Sequence, residues 1–394
     1  MRPPTPQSTE TSVHPLLATA RQVAPRISAR AEEIESARKL PEELARELAQ
    51  AGFFRMFIPE AYGGLELHPA RSIEIIEELS RADGSTGWCV MIGAATAMVS
   101  AWLPESSARA IYEPSETITG GVAAPIGRAE RVEGGYRVSG RWGWASGSHH
   151  CQWLMGGAVV TQGGKPQMTP RGLPEMRTLV FPAKDAVLHD TWHASGLCGT
   201  GSCDIEVKDL FVPTEYTLSL LGERPRVAAP LYGFPTFGLL GVGLPAVALG
   251  IARRALDEFT TLANQKLMMP SRKPLASRPA AQQTVAEAEG LLRSARALLY
   301  EAVHQAFDAG ARNEVSLRTR ADLRLSYTHA TRTSARVVDM VYELAGGPAV
   351  FRTHPLQRCF RDVHVATHHA MVAPPTLETI GTVLLGVEGE TAML

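Results

Sequence analysis

The chain has 394 residues, room for two or three domains with an ample core. Charged residues make up 20% and the net charge is −1, which argues against a polyanionic partner such as nucleic acid and against an acidic disordered tail. The five cysteines, Cys89, Cys151, Cys198, Cys203 and Cys359, are odd in number, scattered and free of any Cys-x-x-Cys pair, so neither a zinc site nor a disulfide framework is expected and the expected setting is reducing and cytoplasmic.

Residues 1–12 are Pro/Thr-rich and read as a mobile tail; residues 1–10 lack the apolar core of a signal peptide, and no run approaches the roughly 20 apolar residues of a membrane span. From 13 to 52, Leu16, Leu17, Ala20, Val23, Ile27, Ala31 and Ile34 recur at three- and four-residue steps, a helical pattern. Pro41 marks a helix start and Gly52 a helix end. Further helices are expected over 72–81 and 86–103, the second apolar all round and therefore buried. From 119 to about 216 glycines become frequent and short strand patterns appear, at 136–140, 153–160, 177–182 and 203–212, predicting a compact β domain. Helical periodicity returns over 238–262, 284–310, 316–345 and 361–372; in the second of these Val285, Ala288, Leu292, Ala295, Leu299 and Val303 share one face. The order is an α+β chain with divisions at 1–118, 119–225 and 226–394.

The segment 134–153 organises the rest. A Gly-Gly turn opens it, Tyr136, Val138 and Gly140 alternate with Arg137, Ser139 and Arg141, and Trp142 and Trp144 precede the small polar turn Ala145-Ser146-Gly147-Ser148. It reads either as a hairpin with aromatic core residues or as a flat Trp face and a short hydroxyl cradling a planar cofactor. Trp144-Ala145-Ser146-Gly147 resembles the flavin-binding strand end of the acyl-CoA dehydrogenase superfamily, and the continuation Ser148-His149-His150-Cys151 resembles its two-component flavin-dependent monooxygenases, of the secosteroid- and hydroxyphenylacetate-hydroxylase type. The resemblance extends to Pro59-Glu60-Ala61-Tyr62-Gly63-Gly64, to Gly196-Leu197-Cys198-Gly199-Thr200-Gly201-Ser202 and to Asp209-Leu210-Phe211-Val212-Pro213. The glycines of these stretches are read as turn formers, since no strand-then-helix unit of a dinucleotide or P-loop kind surrounds them.

The C-terminal Gly346-Gly347 … Pro355-Leu356-Gln357-Arg358-Cys359-Phe360-Arg361-Asp362 is similar to the superfamily signature. In the dehydrogenases a catalytic Glu follows at a spacing that falls here on Ala370, and the second usual place for the base, within 234–246, holds no carboxylate. The resemblance to the monooxygenases instead places a catalytic His at His369, a residue type suited to moving a phenol or amine proton near neutral pH. His364 and His368 stand four apart, as helical metal ligands can, but no HExxH pattern or third ligand accompanies them, and no metal is expected.

The resemblance thus implies an N-terminal helical domain, a central β-barrel or sandwich and a C-terminal four-helix bundle. It implies an oxygenase component, a homotetramer, that takes reduced FMN or FADH2 from a separate NAD(P)H:flavin reductase, reacts it with O2 through a C4a-hydroperoxyflavin and hydroxylates a phenolic or polyketide-type aromatic. It assigns Ser146 to the flavin N5/O4 side, Trp144, Gly147 and Trp192 to the ring, Arg272 to the phosphate, and Gly346 and Gly347 to the far end of the cofactor. Glu343 and Pro348-Ala349-Val350 depart from the pattern of dehydrogenases that retain FAD. Thr96, Trp192 and His369 are the expected substrate-pocket residues, with His369 and Ser146 catalytic. Amine N-hydroxylation, and an FAD-dependent acyl-CoA dehydrogenase with a relocated base, are the alternatives; a flavin-free interaction protein would have no need of Trp144 and Ser146.

Overall fold

In the computed structural model, which describes residues 14–394 except Arg171, the helical spacing of the N-terminal third becomes α1 (Pro15–Ala29), α2 (Ala31–Ala37), α3 (Glu42–Gln50), α4 (Pro69–Ala82), α5 (Gly84–Ala97) and α6 (Glu105–Tyr112). The expected N-terminal tail lies outside the described residues. Leu16, Leu17, Ala20, Val23 and Ile27 are all buried, as their period requires. Pro41 sits at the N-cap of α3, and Gly52, at φ 88°, turns the chain just past its end. Asp83 caps α5 by accepting from Thr86 N at 2.7 Å. The turn after Pro59 is closed by buried Arg55, which donates to the carbonyls of Tyr62, Gly63 and Tyr112.

The middle third is one mixed sheet. Its strands are β1 (Thr119–Val132), β2 (Gly135–Ala145), β3 (Trp153–Gln162), β4 (Lys165–Pro166), β5 (Met176–Pro182), β6 (Val187–His189), β7 (Cys203–Pro213) and β8 (Thr217–Leu218). They lie in the order β6-β7-β2-β1-β3-β5-β8, with β4 paired to the last residues of β3. β1 and β3 run parallel, and the other pairs are antiparallel. β1 is the long strand the sequence patterns did not announce: it contains Pro125 and glycines, and its register on β3 shifts between Val122 and Gly127. The sheet's own core centres on Trp142, fully buried, whose Nε1 donates to Gly157 O at 2.8 Å. Its ring lies where a Cβ at Gly127, Gly140 or Gly156 would come within 2.4, 2.6 and 2.6 Å. The glycine richness of this third is therefore partly the space one indole needs.

The last third holds α7 (Pro230–Gly233), α8 (Thr236–Gly241), α9 (Gly243–Gln265), α10 (Pro279–Ala311), α11 (Leu317–Ala345), α12 (Pro355–Ala366) and α13 (Pro375–Leu385). A two-stranded hairpin, β9 (Leu267–Met268) with β10 (Lys273–Pro274), lies between α9 and α10. The stretch Thr236–Gln265 is long and apolar enough by composition to cross a membrane, contrary to expectation; it is the buried central rod of the bundle. Two expected boundaries change. The helix predicted over 238–262 is split at Val242 into α8 and α9. The helix predicted over 361–372 stops at Ala366, so His368 and His369 lie in the turns beyond it and share no helical face with Asp362 or His364. One apolar core joins residues of α1, α3, α4 and α5 to those of α9, α10, α11 and α12, whereas the sheet keeps a separate core.

Candidate active site

β2 ends at a bulge. Between Trp142 and Ala145 its register on β7 shifts, and Trp144 takes φ 61°, left-handed backbone that a bulky residue adopts only under constraint. Strict alternation would send Trp142 and Trp144 to the same face. The bulge instead turns Trp144 outward, 76% exposed, at the rim of the sheet. Gly147, at φ 72°, then bends the chain so that its N–H reaches Thr200 O at 2.8 Å, and Ser146 is carried inward to 5% exposure.

Ser146 is not isolated. Trp88 Nε1, from α5, donates to Ser146 Oγ at 3.0 Å, and Ser146 Oγ lies 2.7 Å from Ser202 Oγ, itself 2.7 Å from Thr200 Oγ1. The chain of groups ends on Leu197 O, which also accepts from Trp192 Nε1 at 3.1 Å. Leu197 is another left-handed residue, φ 48°, and its N–H donates to the buried Asp362 carboxylate at 2.6 Å. Burial and the nearby Asp83 push the Asp362 pKa up to about 7, against the pull of that N–H and of Arg361 and Arg358.

His369 stands on the other side of Trp88, the two rings 5.8 Å apart in an edge-on arrangement. It is half-buried, and desolvation, helped by the Arg324 cation, lowers its pKa to about 4. Its Nδ1 accepts from Met371 N at 3.2 Å, so in the neutral ring the proton sits on Nε2. Ser146, Gly147, Trp192 and His369, separated by up to 223 positions in the chain (369 − 146), are thus gathered around Trp88 and Leu197. Trp88 was not singled out from the sequence, because it lies in a helix that is apolar all round and offers no face to distinguish.

The remaining expected residues lie elsewhere. Arg272 is exposed at the tip of the β9–β10 hairpin, with φ 53°. At the base of that hairpin Lys266 Nζ donates to Ala345 O at 2.8 Å, which sets the hairpin beside the Gly346-Gly347 turn. Thr96 is two turns along α5 from Trp88, and its hydroxyl is engaged with Thr119 Oγ1 and Thr119 O, both at 3.0 Å. His364 faces Asp339 Oδ1 at 2.8 Å, and His368 is exposed. Among the described residues no group of three or more His, Cys, Asp or Glu is placed to hold a metal ion.

Three features would suit a planar, partly apolar ligand: an exposed indole at Trp144, a hydroxyl at Ser146 with room for one more hydrogen bond, and a half-buried indole at Trp192. Comparisons with known proteins place the chain as a whole. Residues 14–105 match the family model "Acyl-CoA dehydrogenase, N-terminal domain", and 242–374 match "Acyl-CoA dehydrogenase, C-terminal domain". The chain is 36% identical to indole-3-acetate monooxygenase of Pseudomonas putida over 91% of this chain and 90% of that protein. It is 29% identical to the FADH2-dependent resorcinol hydroxylase, oxygenase component, of a Rhizobium species over 97% of both. The crystal structure of 3-HSA hydroxylase from Rhodococcus sp. RHA1 superposes with a TM-score of 0.89 at 26% identity, covering 97% of this chain and 99% of that one.

Proposed function

This chain belongs to the flavin-dependent monooxygenases built on the acyl-CoA dehydrogenase fold, and we propose that it is an oxygenase component that hydroxylates a phenolic or polyketide-type aromatic beside an existing hydroxyl. Reduced FMN or FADH2 reaches it from a separate NAD(P)H:flavin reductase. When bound, the flavin supplies the two electrons with which dioxygen is divided between the substrate hydroxyl and water.

The chain's own residues bind, orient and shield. Trp144 offers a face for the ring, Gly147 lets the backbone turn beneath it, and Trp192 closes the side. Ser146 meets the N5 edge. Arg272 and the Gly346-Gly347 turn form the phosphate and distal end, which the hairpin at Lys266 holds together. The observation that carries the catalytic reading is the hydrogen bond that His369 Nδ1 accepts from Met371 N, which leaves the proton of the neutral ring on Nε2, while burial lowers the pKa of the ring. Such a ring donates. It would hold a phenolate oxygen by Nε2–H, lowering the cost of passing the phenol proton to water without itself becoming charged in an apolar setting. Thr96, buried and bonded to Thr119, would act on the pocket only by fixing α5 against β1. Exposed Phe351, Leu384 and Leu385 support a homotetramer, which would cover them, and the free cysteines support a cytoplasmic setting.

The test is turnover with NADH, a flavin reductase, FMN or FAD and a panel of phenols and indole acids under 18O2. One labelled oxygen in the product is expected. His369→Ala should lower product formation by about 10²–10⁴-fold while reduced flavin is still consumed, the oxygen leaving as hydrogen peroxide. If the protein instead carries FAD that an acyl-CoA bleaches anaerobically, the chain is a dehydrogenase with its base elsewhere and the reading is wrong.

A further inference from the structure

The hydroxyls behind Ser146 have a direction. An indole N–H only donates and a carbonyl only accepts, while a hydroxyl has one proton and two lone pairs. At the far end, Thr200 Oγ1 lies 2.8 Å from Leu197 O, so the one Thr200 proton is on that bond. Ser202 Oγ is 2.7 Å from Thr200 Oγ1, a separation that requires a proton between the oxygens. Thr200 has none left, so Ser202 donates to Thr200. By the same argument at 2.7 Å, Ser146 donates to Ser202. Trp88 Nε1 completes the order by donating to Ser146 at 3.0 Å.

The terminal acceptor is held still. Leu197 O also accepts from Trp192 Nε1 and Thr200 N, each at 3.1 Å, and Leu197 N is fixed on Asp362 Oδ1. Ser146, Ser202 and Thr200 are 5%, 4% and 1% exposed, so bulk water does not compete for their protons. Ser146 has therefore used its proton and one lone pair. A single lone pair is all it can offer to a ligand.

We propose that this one-way chain makes Ser146 a selector of flavin redox state, with Thr200 and Ser202 as positioning residues. The proposal rests on the placement of Ser146 at the N5 edge given above. Reduced flavin carries a hydrogen on N5 and donates to the free lone pair. Oxidised flavin presents a lone pair at N5, and two lone pairs oppose each other across the contact. The protein thereby holds the form a reductase delivers and lets go of the form left after turnover, through residues that never touch the substrate.

The experiment is a pair of binding titrations, anaerobic with reduced flavin and aerobic with oxidised flavin, on the native protein and on Thr200→Val, Ser202→Ala, Thr200→Ser and Trp88→Phe. In Thr200→Val, Ser202 is free to turn its proton to Ser146, and Ser146 turns its own to the ligand. In Ser202→Ala, the Ser146 proton is released directly. Both variants should bind oxidised flavin about 5-fold more tightly, the scale of one net hydrogen bond, and their preference for reduced flavin should fall accordingly. Thr200→Ser keeps the hydroxyl and Trp88→Phe leaves the Ser146 proton on Ser202, so both should keep the native preference. A gain of oxidised-flavin affinity is not something a damaged site produces. An unchanged preference in Thr200→Val and Ser202→Ala overturns the proposal while leaving the proposed function standing; a native protein that binds neither form of flavin overturns both.

Discussion

Trp142 and Trp144 are two residues apart on one strand and have opposite surroundings. Trp142 has no exposed surface, a hydrogen-bonded indole and three glycines against its six-membered ring; Trp144 is 76% exposed on left-handed backbone. The first is the sheet's keystone, and its environment was cleared for it by Gly127, Gly140 and Gly156. The second is displayed by a bulge at the cost of a strained dihedral. The difference teaches that burial in this sheet builds stability around one indole, while the adjacent irregularity builds a surface for something else to cover.

That contrast can be broken from either side. The largest effect is expected for Trp142→Ala, which removes the indole and leaves a void that the flanking backbone cannot fill: about 3–5 kcal/mol of stability by chemical denaturation. Gly156→Ala puts a methyl where Trp142 now lies and should cost about 1–3 kcal/mol, read as a lowered denaturation midpoint with unchanged slope. Next comes pH. His150, in the turn just after Trp144, has its pKa lowered to about 4 by burial, with His149 and Lys39 adding to the effect. The unfolded chain takes up this proton near pH 6.5 and the folded one only near 4. The stability is whole above pH 6.5 and is lost as pH falls through that window, by about 1.4 kcal/mol per pH unit. Asp362 pulls the other way, since its folded pKa is raised, so the measurement is the difference between the native protein and His150→Gln at pH 7, 5.5 and 4.5. The stability of the native protein minus that of the variant should fall by about 1.4 kcal/mol per pH unit below pH 6.5 if His150 is the cause. The smallest stability effect is expected for Trp144→Ala, within about 0.5 kcal/mol, although flavin affinity should drop. A large loss of stability there would mean that Trp144 belongs to the core after all.

The helical two thirds of the fold were legible because their apolar residues repeat. Of the six positions read as one face in 284–310, Ala288, Leu292, Ala295, Leu299 and Val303 are buried and Val285 is half-buried. β1 was not legible, since a parallel partner 34 residues away (Thr119 with Trp153) leaves no hairpin signal between them and its bulge disturbs the alternation. Nor was the end of α12, because Thr367, His368 and His369 contain neither glycine nor proline to announce a stop. The candidate site was half legible. Ser146, Trp192 and His369 could be named from motifs, and the structure gathers them around one set of contacts. Trp88 could not, and Thr200 and Ser202, though they stand in the quoted stretch 196–202, were passed over for its glycines, because what marks them is which atom donates to which, and hydrogen-bond direction leaves no pattern in a sequence.

The shared core of the first and last thirds has a consequence for how the chain is made. Helices α1 to α6 leave the ribosome first, but α9, the longer part of the rod they pack against, begins only at Gly243. At typical synthesis rates their apolar faces wait on the order of ten seconds for it, while the contiguous sheet between them has all its own strands in hand. The β third is therefore the part suited to fold during translation. A ribosome stalled with β8 already emerged and α9 still inside its tunnel would carry a finished sheet and a sticky, unfinished bundle, the state in which a chaperone has the most to hold.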